Sequence, residues 1–434
     1  MTNSLALVLG ILVFLLILGA PVVFAVAAAG LSYFFIEPSV AGMQSVVVHK
    51  FFTGMDVFIW LSIPLFVIAG EIMSATNMTE RLVGFSHLIV GKFRGGMAYV
   101  NVLASMLFGG VSGSALADVA ALGPVELALM RKEGYKDEFS AALTVSSAIQ
   151  GPIIPPSIPL IMFSSLTNTS VAALFLAGAV PGVLLGLALM MVVFIMARIH
   201  NFPKNPIENI TFAVVVKIVG DAFWSLLMPV IIMGGITSGI FTATEAAAIA
   251  VSYAMVIGIV AYRNLSMKTL WAILDRSART TASIYLIVGF ASVLTWVIAN
   301  ERVPDTLQTF VQNLNIPVWA LLLMVNLFFL FNGLWISDSV QMVLFAPLFT
   351  PILAALGVSP VQFGVIMTMN VMIGLMTPPY GLALYLGSAI SGVPLIKIIR
   401  ESIPFLIASL IVLMLVTYIP ALTLALPRFF GFIN

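Results

Sequence analysis

The 434 residues contain no cysteine, and only 8% of them are Asp, Glu, Lys or Arg. The first absence excludes disulfide frameworks, thiolate metal sites and cysteine nucleophiles. The second is more restrictive. A soluble globular chain carries about 25% charged residues, and water could not solvate a body of this size with so few. Lipid must be the solvent, which excludes a cytosolic enzyme, a nucleic-acid-binding protein and a disordered tail. Also missing are G-x-x-x-x-G-K-[ST], H-E-x-x-H and G-x-S-x-G, so no P-loop or common hydrolytic motif drives this chain. What is present is apolar: 61% hydrophobic residues, a mean hydropathy of +1.17 and a net charge of +1. The apolar N-terminus has no basic n-region and no A-x-A cleavage site, and reads as a retained helix. The expected class is an all-α polytopic membrane protein.

A helix crosses a bilayer in about 20 apolar residues. Full-length candidates lie at roughly 4–36 (long, with Pro21 as a kink), 57–75, 137–168, 171–197, 213–234, 241–262, 283–299, 361–391 and 401–427. Two more apolar stretches, about 97–131 and 317–356, are too long for one crossing. Each is interrupted in its middle by glycine and polar residues, as a re-entrant hairpin would be. Lysine and arginine are retained on the cytoplasmic side. With both interrupted stretches as hairpins, the chain runs N-inside and C-outside, leaving only Lys50, Arg302 and Arg428 of the 18 Lys and Arg outside. The first hairpin then opens to the cytoplasm and the second to the opposite face.

Sliding the chain against itself gives one informative offset, 223 residues. Gly110 falls on Gly333, Ser114 on Ser337, Pro124 on Pro347, Gly151 on Gly374, Pro155 and Pro156 on Pro378 and Pro379, and Pro181 on Pro404. The matches concentrate on helix breakers and small polar residues. Each copy has a short amphipathic arm, an interrupted hairpin and a helix broken at Pro-Pro. Opposite hairpin orientations make this an inverted-topology repeat, a plan common among secondary transporters.

Irregular backbone survives in hydrocarbon only inside protein or beside a watery cavity. Four irregular segments occur: two hairpin tips, 109–114 and 332–339, and two broken helices, 151–157 and 374–380. Proline frees carbonyl oxygens on its N-terminal side. Those oxygens, with Ser and Thr hydroxyls, form the all-oxygen shell that hard cations prefer. The half-helix beyond each break presents unpaired N–H groups suited to an anion. Two acids, Asp118 and Asp338, lie early in the return arms of the hairpins. There they can cap exposed amides, or take part in ion coupling. Glu71, Glu126 and Glu245 are expected to reach the interface, and Lys217 with Asp221 to form an i,i+4 surface pair.

At these residues the chain resembles the large membrane subunit of tripartite ATP-independent periplasmic (TRAP) transporters, the DctM type. The resemblance covers nearly the whole length. It includes 52–56 leading into 63–73, the first tip from Phe108 to Asp118, 154–157, 239–248 and 377–382. One departure is Ala243, where proline is more usual. The resemblance implies an elevator-type transporter of the bacterial inner membrane, coupled to sodium ions. It also implies a small four-helix membrane subunit (DctQ type), a periplasmic substrate-binding protein (DctP type) and a small organic anion as cargo, such as a C4-dicarboxylate, sialic acid or sulfonate. Scaffold helices would span 1–76, 169–299 and 393–434, with arms at 77–94 and 300–316. The transport domain would be 95–168 and 317–392. By position, one sodium site would use Gly110, Ser112 and Ser114 with carbonyls near Gly151 and Pro155. The other would use Gly333 and Ser337 with the carbonyls of Gly374 to Thr377. The substrate would lie between them, near Pro156, Ser157, Pro379 and Tyr380.

Three other readings compete. One is a sodium- or proton-coupled anion carrier that works without a binding protein. Another is a channel, though channels usually build a pore from repeated subunits. The third is an intramembrane aspartyl protease using Asp118 and Asp338, whose sequence contexts do not fit. No enzyme activity is expected.

Overall fold

The computed structural model describes residues 3–40, 42–204, 211–313, 316–334 and 336–433. Among the described residues there are twenty α-helices and no strand. Seven helical stretches among the described residues are long and apolar enough to cross a membrane by length and composition.

The chain opens with α1 (Asn3–Ile17) and α2 (Val22–Ile36), followed by α3 (Gln44–Met55), α4 (Ser62–Ala75) and the amphipathic arm α5 (Met78–Val90). The first hairpin is α6 (Gly96–Ser112) and α7 (Ala115–Lys132), and the first broken helix is α8 (Asp137–Ala148) and α9 (Ile158–Thr167). Four helices follow: α10 (Val171–Ile199), α11 (Phe212–Thr237), α12 (Ala243–Val256) and α13 (Met267–Asn300). The second arm α14 (Val303–Asn313) leads to the hairpin α15 (Val318–Asn332) and α16 (Asp338–Ala355). The second broken helix is α17 (Pro360–Leu375) and α18 (Leu382–Ser391), and α19 (Leu395–Tyr418) and α20 (Ala421–Phe429) close the chain. Residues 314 and 315 of the expected second arm lie outside the described residues.

The N-terminal span corrects the expectation. A straight helix over 4–36 would be about 50 Å long, well beyond the roughly 30 Å hydrocarbon core. Instead Gly19 takes a left-handed conformation (φ 78°) and Pro21 starts a new helix, so α1 and α2 fold back on each other. Ser4 Oγ donates to Glu37 Oε2 at 2.7 Å, which puts the start of α1 and the end of α2 at one edge. That edge also holds the end of α13, because Tyr33 Oη donates to Glu301 Oε1 (2.5 Å) and accepts from Asn300 Nδ2 (3.0 Å). Residue 3 therefore lies on the face expected to be outside, not inside. The last expected span also shifts: α19 ends at Tyr418, and α20 packs back against α10.

Two bodies emerge from the packing. In one, α2, α3 and α4 line up on α13, while α12 packs on α4 and α11 on α12 and on the arm α5. Local chemistry starts α12: Thr242 Oγ1 accepts from Glu245 N (3.3 Å), and Glu245 Oε2 accepts from Thr242 N (2.8 Å). In the other body the repeats interlock, α9 packing on α16 and α17, and α18 on α7 and α8. Phe163 meets Phe363 edge-on at 5.8 Å, over Gly364. Helices α10 and α19 belong with this second body by packing, since α10 contacts α6, α17, α19 and α20, and α19 contacts α8 and α17. The expected scaffold segments 169–299 and 393–434 had placed them elsewhere. Asp221 pairs with Arg81 at 3.5 Å rather than with Lys217, because the arm α5 lies along α11.

A cysteine introduced at Asn3 in this cysteine-free chain should react with an impermeant maleimide in intact cells, as should one at Ser39. Reaction of the Asn3→Cys variant only after permeabilisation would restore a single N-terminal crossing.

Candidate functional site

Each hairpin tip lies against the broken helix of its own repeat, and the contact is glycine on glycine. A Cβ on Gly109 would fall 2.3 Å from Gly151 Cα, and one on Gly333 would fall 2.8 Å from Gly374 Cα. Gly151 and Gly374 obey the 223-residue offset, but the tip glycines slip by one, since α15 stops earlier than α6. Trp335 of the second tip lies outside the described residues.

In the first repeat, α6 ends at Ser112, Gly113 turns the chain through φ 58°, and Ser114 starts α7 by accepting from Ala117 N at 3.4 Å. The tip faces the carbonyls of the break. Pro155 O would lie 3.4 Å from a Cβ on Gly110, and Pro156 O 2.8 Å from one on Gly113. Among the described residues neither carbonyl accepts a hydrogen bond. Ser157 is buried, donates to Pro152 O and accepts from Leu160 N at 3.2 Å, so it caps α9. The other body closes the tip from outside: Ser112 Cα would lie 3.2 Å from a Cβ on Gly70 of α4, and Pro229 of α11 faces Gly110.

The second repeat is built alike. Ser337 precedes α16, and Thr377 Oγ1 donates to Ile373 O at 2.7 Å at the end of α17. Both Pro-Pro bonds, 155–156 and 378–379, are cis. The breaks differ in exposure: Pro155, Pro156 and Ser157 are buried, Thr377 is half-buried, and Pro379 and Tyr380 are exposed. The structure thus brings Gly110 and Gly113 to Pro155 and Pro156, and Gly333 to Gly374. No hydrogen bond or ring contact joins Ser157 to Tyr380 among the described residues.

Asp118 is fully buried, and its Oδ1 accepts from Ser105 Oγ at 3.4 Å across the hairpin. Its Oδ2 has no partner and points toward Gly151. Asp338 is half-buried at the first position of α16 and accepts from Ser339 Oγ at 3.4 Å. Glu126 corrects the expectation of an interfacial acid: it is fully buried. It accepts from Asn101 Nδ2 (2.7 Å) and Thr144 Oγ1 (3.3 Å). Ser147 Oγ donates to Asn101 Oδ1 (2.7 Å) and lies 3.1 Å from Ser105 Oγ. A side-chain chain Glu126–Asn101–Ser147–Ser105–Asp118 therefore runs through α6, α7 and α8. Sequence reasoning missed it, although the spacing 101, 105 on α6 and 118, 126 on α7 sets polar side chains on one face of each helix.

The sequence matches, over residues 9–422, the family described as "Tripartite ATP-independent periplasmic transporter, DctM component". The chain belongs to this family. It is 39% identical over 416 residues to the sialic acid TRAP transporter large permease protein SiaM of Vibrio cholerae, covering 96% of each chain. It is 39% identical over 382 residues to the C4-dicarboxylate TRAP transporter large permease protein DctM of Pseudomonas aeruginosa, covering 88% of this chain and 89% of that one. The fold also matches the crystal structure of the Alcanivorax borkumensis YdaH transporter, with a TM-score of 0.64 at 14% identity over 96% of this chain and 98% of that one. The permease is thus a multi-pass protein of the bacterial inner membrane.

Two predictions follow from the site's packing. Gly109→Ala and Gly333→Ala should each destabilise the permease by about 1–3 kcal/mol through overpacking against backbone, seen as a lower Tm in detergent. Gly220→Ala, on an open face of α11, should leave Tm unchanged. Asn101→Ala should cost about 1–3 kcal/mol by removing the amide that donates to buried Glu126 and accepts from Ser147, and a Tm equal to wild type would show the chain to be dispensable.

Proposed function

We propose that this permease imports a small organic anion together with sodium ions, by moving the interlocked repeats past the α2–α4 and α11–α13 body. The observation that carries the reading is the pair of unpartnered carbonyls, Pro155 O and Pro156 O, facing the first tip in a protein-lined break. Such oxygens suit a hard cation of low charge. Sodium is the proposed ion, held by Gly110, Ser112, Ser114, Gly151 and Pro155 in one repeat. The second site would use Gly333, Ser337, Gly374 and Thr377. The N-termini of α9 and α18, just beyond the breaks, would meet the anion near Pro156, Ser157, Pro379 and Tyr380 through amides and hydroxyls. No lysine or arginine is needed for that. The moving body is taken to include α10 and α19, which pack on both repeats, and α20, which packs on α10 and α17.

The relatives' names support an acid as cargo: sialic acid for one, a C4-dicarboxylate for another, and 2,3-diketo-L-gulonate for a third, from Escherichia coli. A small four-helix membrane subunit and a periplasmic substrate-binding protein are proposed as partners, as the family's tripartite description suggests.

The test is uptake of these acids into proteoliposomes holding the permease and its small subunit, with and without the binding protein, under a sodium or a potassium gradient. Saturable uptake that needs sodium and the binding protein supports the reading. Non-saturating flux would favour a channel, and binding-protein-independent uptake a simpler carrier. Ser114→Ala and Pro156→Ala should raise the sodium concentration for half-maximal uptake severalfold. Unchanged sodium dependence in both would remove the first site.

A further inference from the structure

On the cytoplasmic face, the chain crosses between the two bodies twice in one place: from α5 to α6, and from α10 toward α11. Backbone ties the crossings together, Gly95 N donating to Pro203 O at 3.0 Å. Arg94 reinforces the tie through Nε to Phe202 O (3.2 Å) and Nη2 to Asn201 Oδ1 (2.8 Å). Beside it opens a cavity of about 560 Å³ lined by Lys92, Phe93, Arg94, Phe202 and Lys204. Three of these five residues are cations. Among the described residues no carboxylate lies within ion-pair distance of any of them. Arg94 uses two of its five N–H donors on the crossing and keeps three. Phe202 is fixed below by Phe139 (4.7 Å) and Tyr135 (5.0 Å), so the cavity has a rigid aromatic wall.

An apolar surface leads from the cavity into the membrane. Leu187, Met191, Phe194 and Ile195 are 55%, 58%, 43% and 50% exposed, and their spacing sets them on one face of α10. Arg198 ends that face, its guanidinium 4.2 Å above the Phe194 ring. The face runs toward the cavity, because α10 ends at Ile199 and Phe202 and Lys204 of the cavity wall follow it directly in the chain.

We propose that this cavity binds the phosphate headgroup of an anionic phospholipid of the inner leaflet, with its acyl chains along α10. Basic pockets on the cytoplasmic side of membrane proteins recognise such headgroups by charge, and guanidinium matches phosphate in a bidentate fork. The apolar face distinguishes a lipid from free phosphate, which would gain nothing from it. The site is independent of the coupling ion and the cargo, so its test stands apart from the uptake assays.

The test uses the full-length permease with its small subunit, by native mass spectrometry after exchange with phosphatidylglycerol, phosphatidylethanolamine or phosphatidylcholine. Wild type should retain one phosphatidylglycerol in preference to the other two. Each cation near an anionic headgroup contributes about fivefold in binding, so the triple variant K92Q/R94Q/K204Q should lose at least about tenfold in retention. Lys268→Gln, a cytoplasmic cation outside the cavity, should retain it as wild type does. As a second readout, Phe93→Cys in nanodiscs should react about fivefold more slowly with a charged maleimide when phosphatidylglycerol replaces phosphatidylcholine. Retention unchanged in the triple variant, equal loss in Lys268→Gln, or labelling indifferent to the lipid would each overturn the proposal. So would displacement of the lipid by inorganic phosphate, which marks a site for the free anion.

Discussion

A helix cannot stop in the middle of a bilayer unless something else satisfies or shields the backbone groups it leaves behind. Both broken helices meet this constraint in one way: a re-entrant tip from the same repeat is pressed onto the break. The approach is so close that glycine must face glycine, Gly109 on Gly151 and Gly333 on Gly374. The same closeness shapes the chemistry. A side chain at the contact would hold the tip off and admit lipid or loose water. Without one, Pro155 O and Pro156 O face the tip and accept no hydrogen bond from the described residues. The contact that shields the break is also the one that leaves these two carbonyls facing the tip.

The two repeats share this geometry but not its electrostatics. Under the 223-residue offset, Asp118 corresponds to Gln341 and Glu126 to Phe349. Ser147 corresponds to Asn370, which bonds Asn326 (2.7 Å), which in turn bonds Thr417 (3.0 Å). The first repeat thus carries a buried polar chain ending in two carboxylates, and the second a neutral chain of amides and a hydroxyl. Exposure follows the same division, with the first break buried and Pro379 and Tyr380 of the second open. The carboxyl groups of Asp118 and Glu126 set the closed half apart from its counterpart. The open half, whose one acid is Asp338 at the edge of the tip, leaves room for an anion to enter.

Glycine and proline made much of this readable beforehand. The Pro-Pro pairs, the tip serines and the repeat offset depend on backbone rules that act locally, so 151–157 and 374–380 could be placed without tertiary information. The N-terminal hairpin was hidden because Pro21 reads equally as a kink or a turn. Only the excess length of 4–36 over one crossing distinguished them. Helix α3 buries none of its residues and gave no apolar run to find. Glu126 differs from its expected interfacial place for another reason: its position along the chain says nothing of the helices that cover it. Its burial comes from α6 and α8 closing over α7, with Asn101 and Thr144 supplying the hydrogen bonds that make a buried carboxylate tolerable.

Ion pairs show where each body is stiff. Arg276–Glu71 joins α13 to α4, and Arg81–Asp221 joins α5 to α11, both within one body. Lys397–Glu138 joins α19 to α8, and Arg131–Asp137 joins the end of α7 to α8, both within the other. Among the described residues the one pair that crosses is His87–Glu133 at 4.0 Å. Burial lowers the pKa of His87 and raises that of Glu133, so both charges are weakened there. Elsewhere the seam is made of small and apolar contacts, Gly70 on Ser112 and Pro229 on Gly110. Dispersion contacts of this kind are shallow and non-directional, and one register can replace another without leaving a charge unpaired in lipid. Directional bonds lie inside each body and one weakened ion pair lies between them, a division that favours the proposed sliding over a rigid whole, and the proposed headgroup cavity lies where the chain connects those parts on the cytoplasmic face.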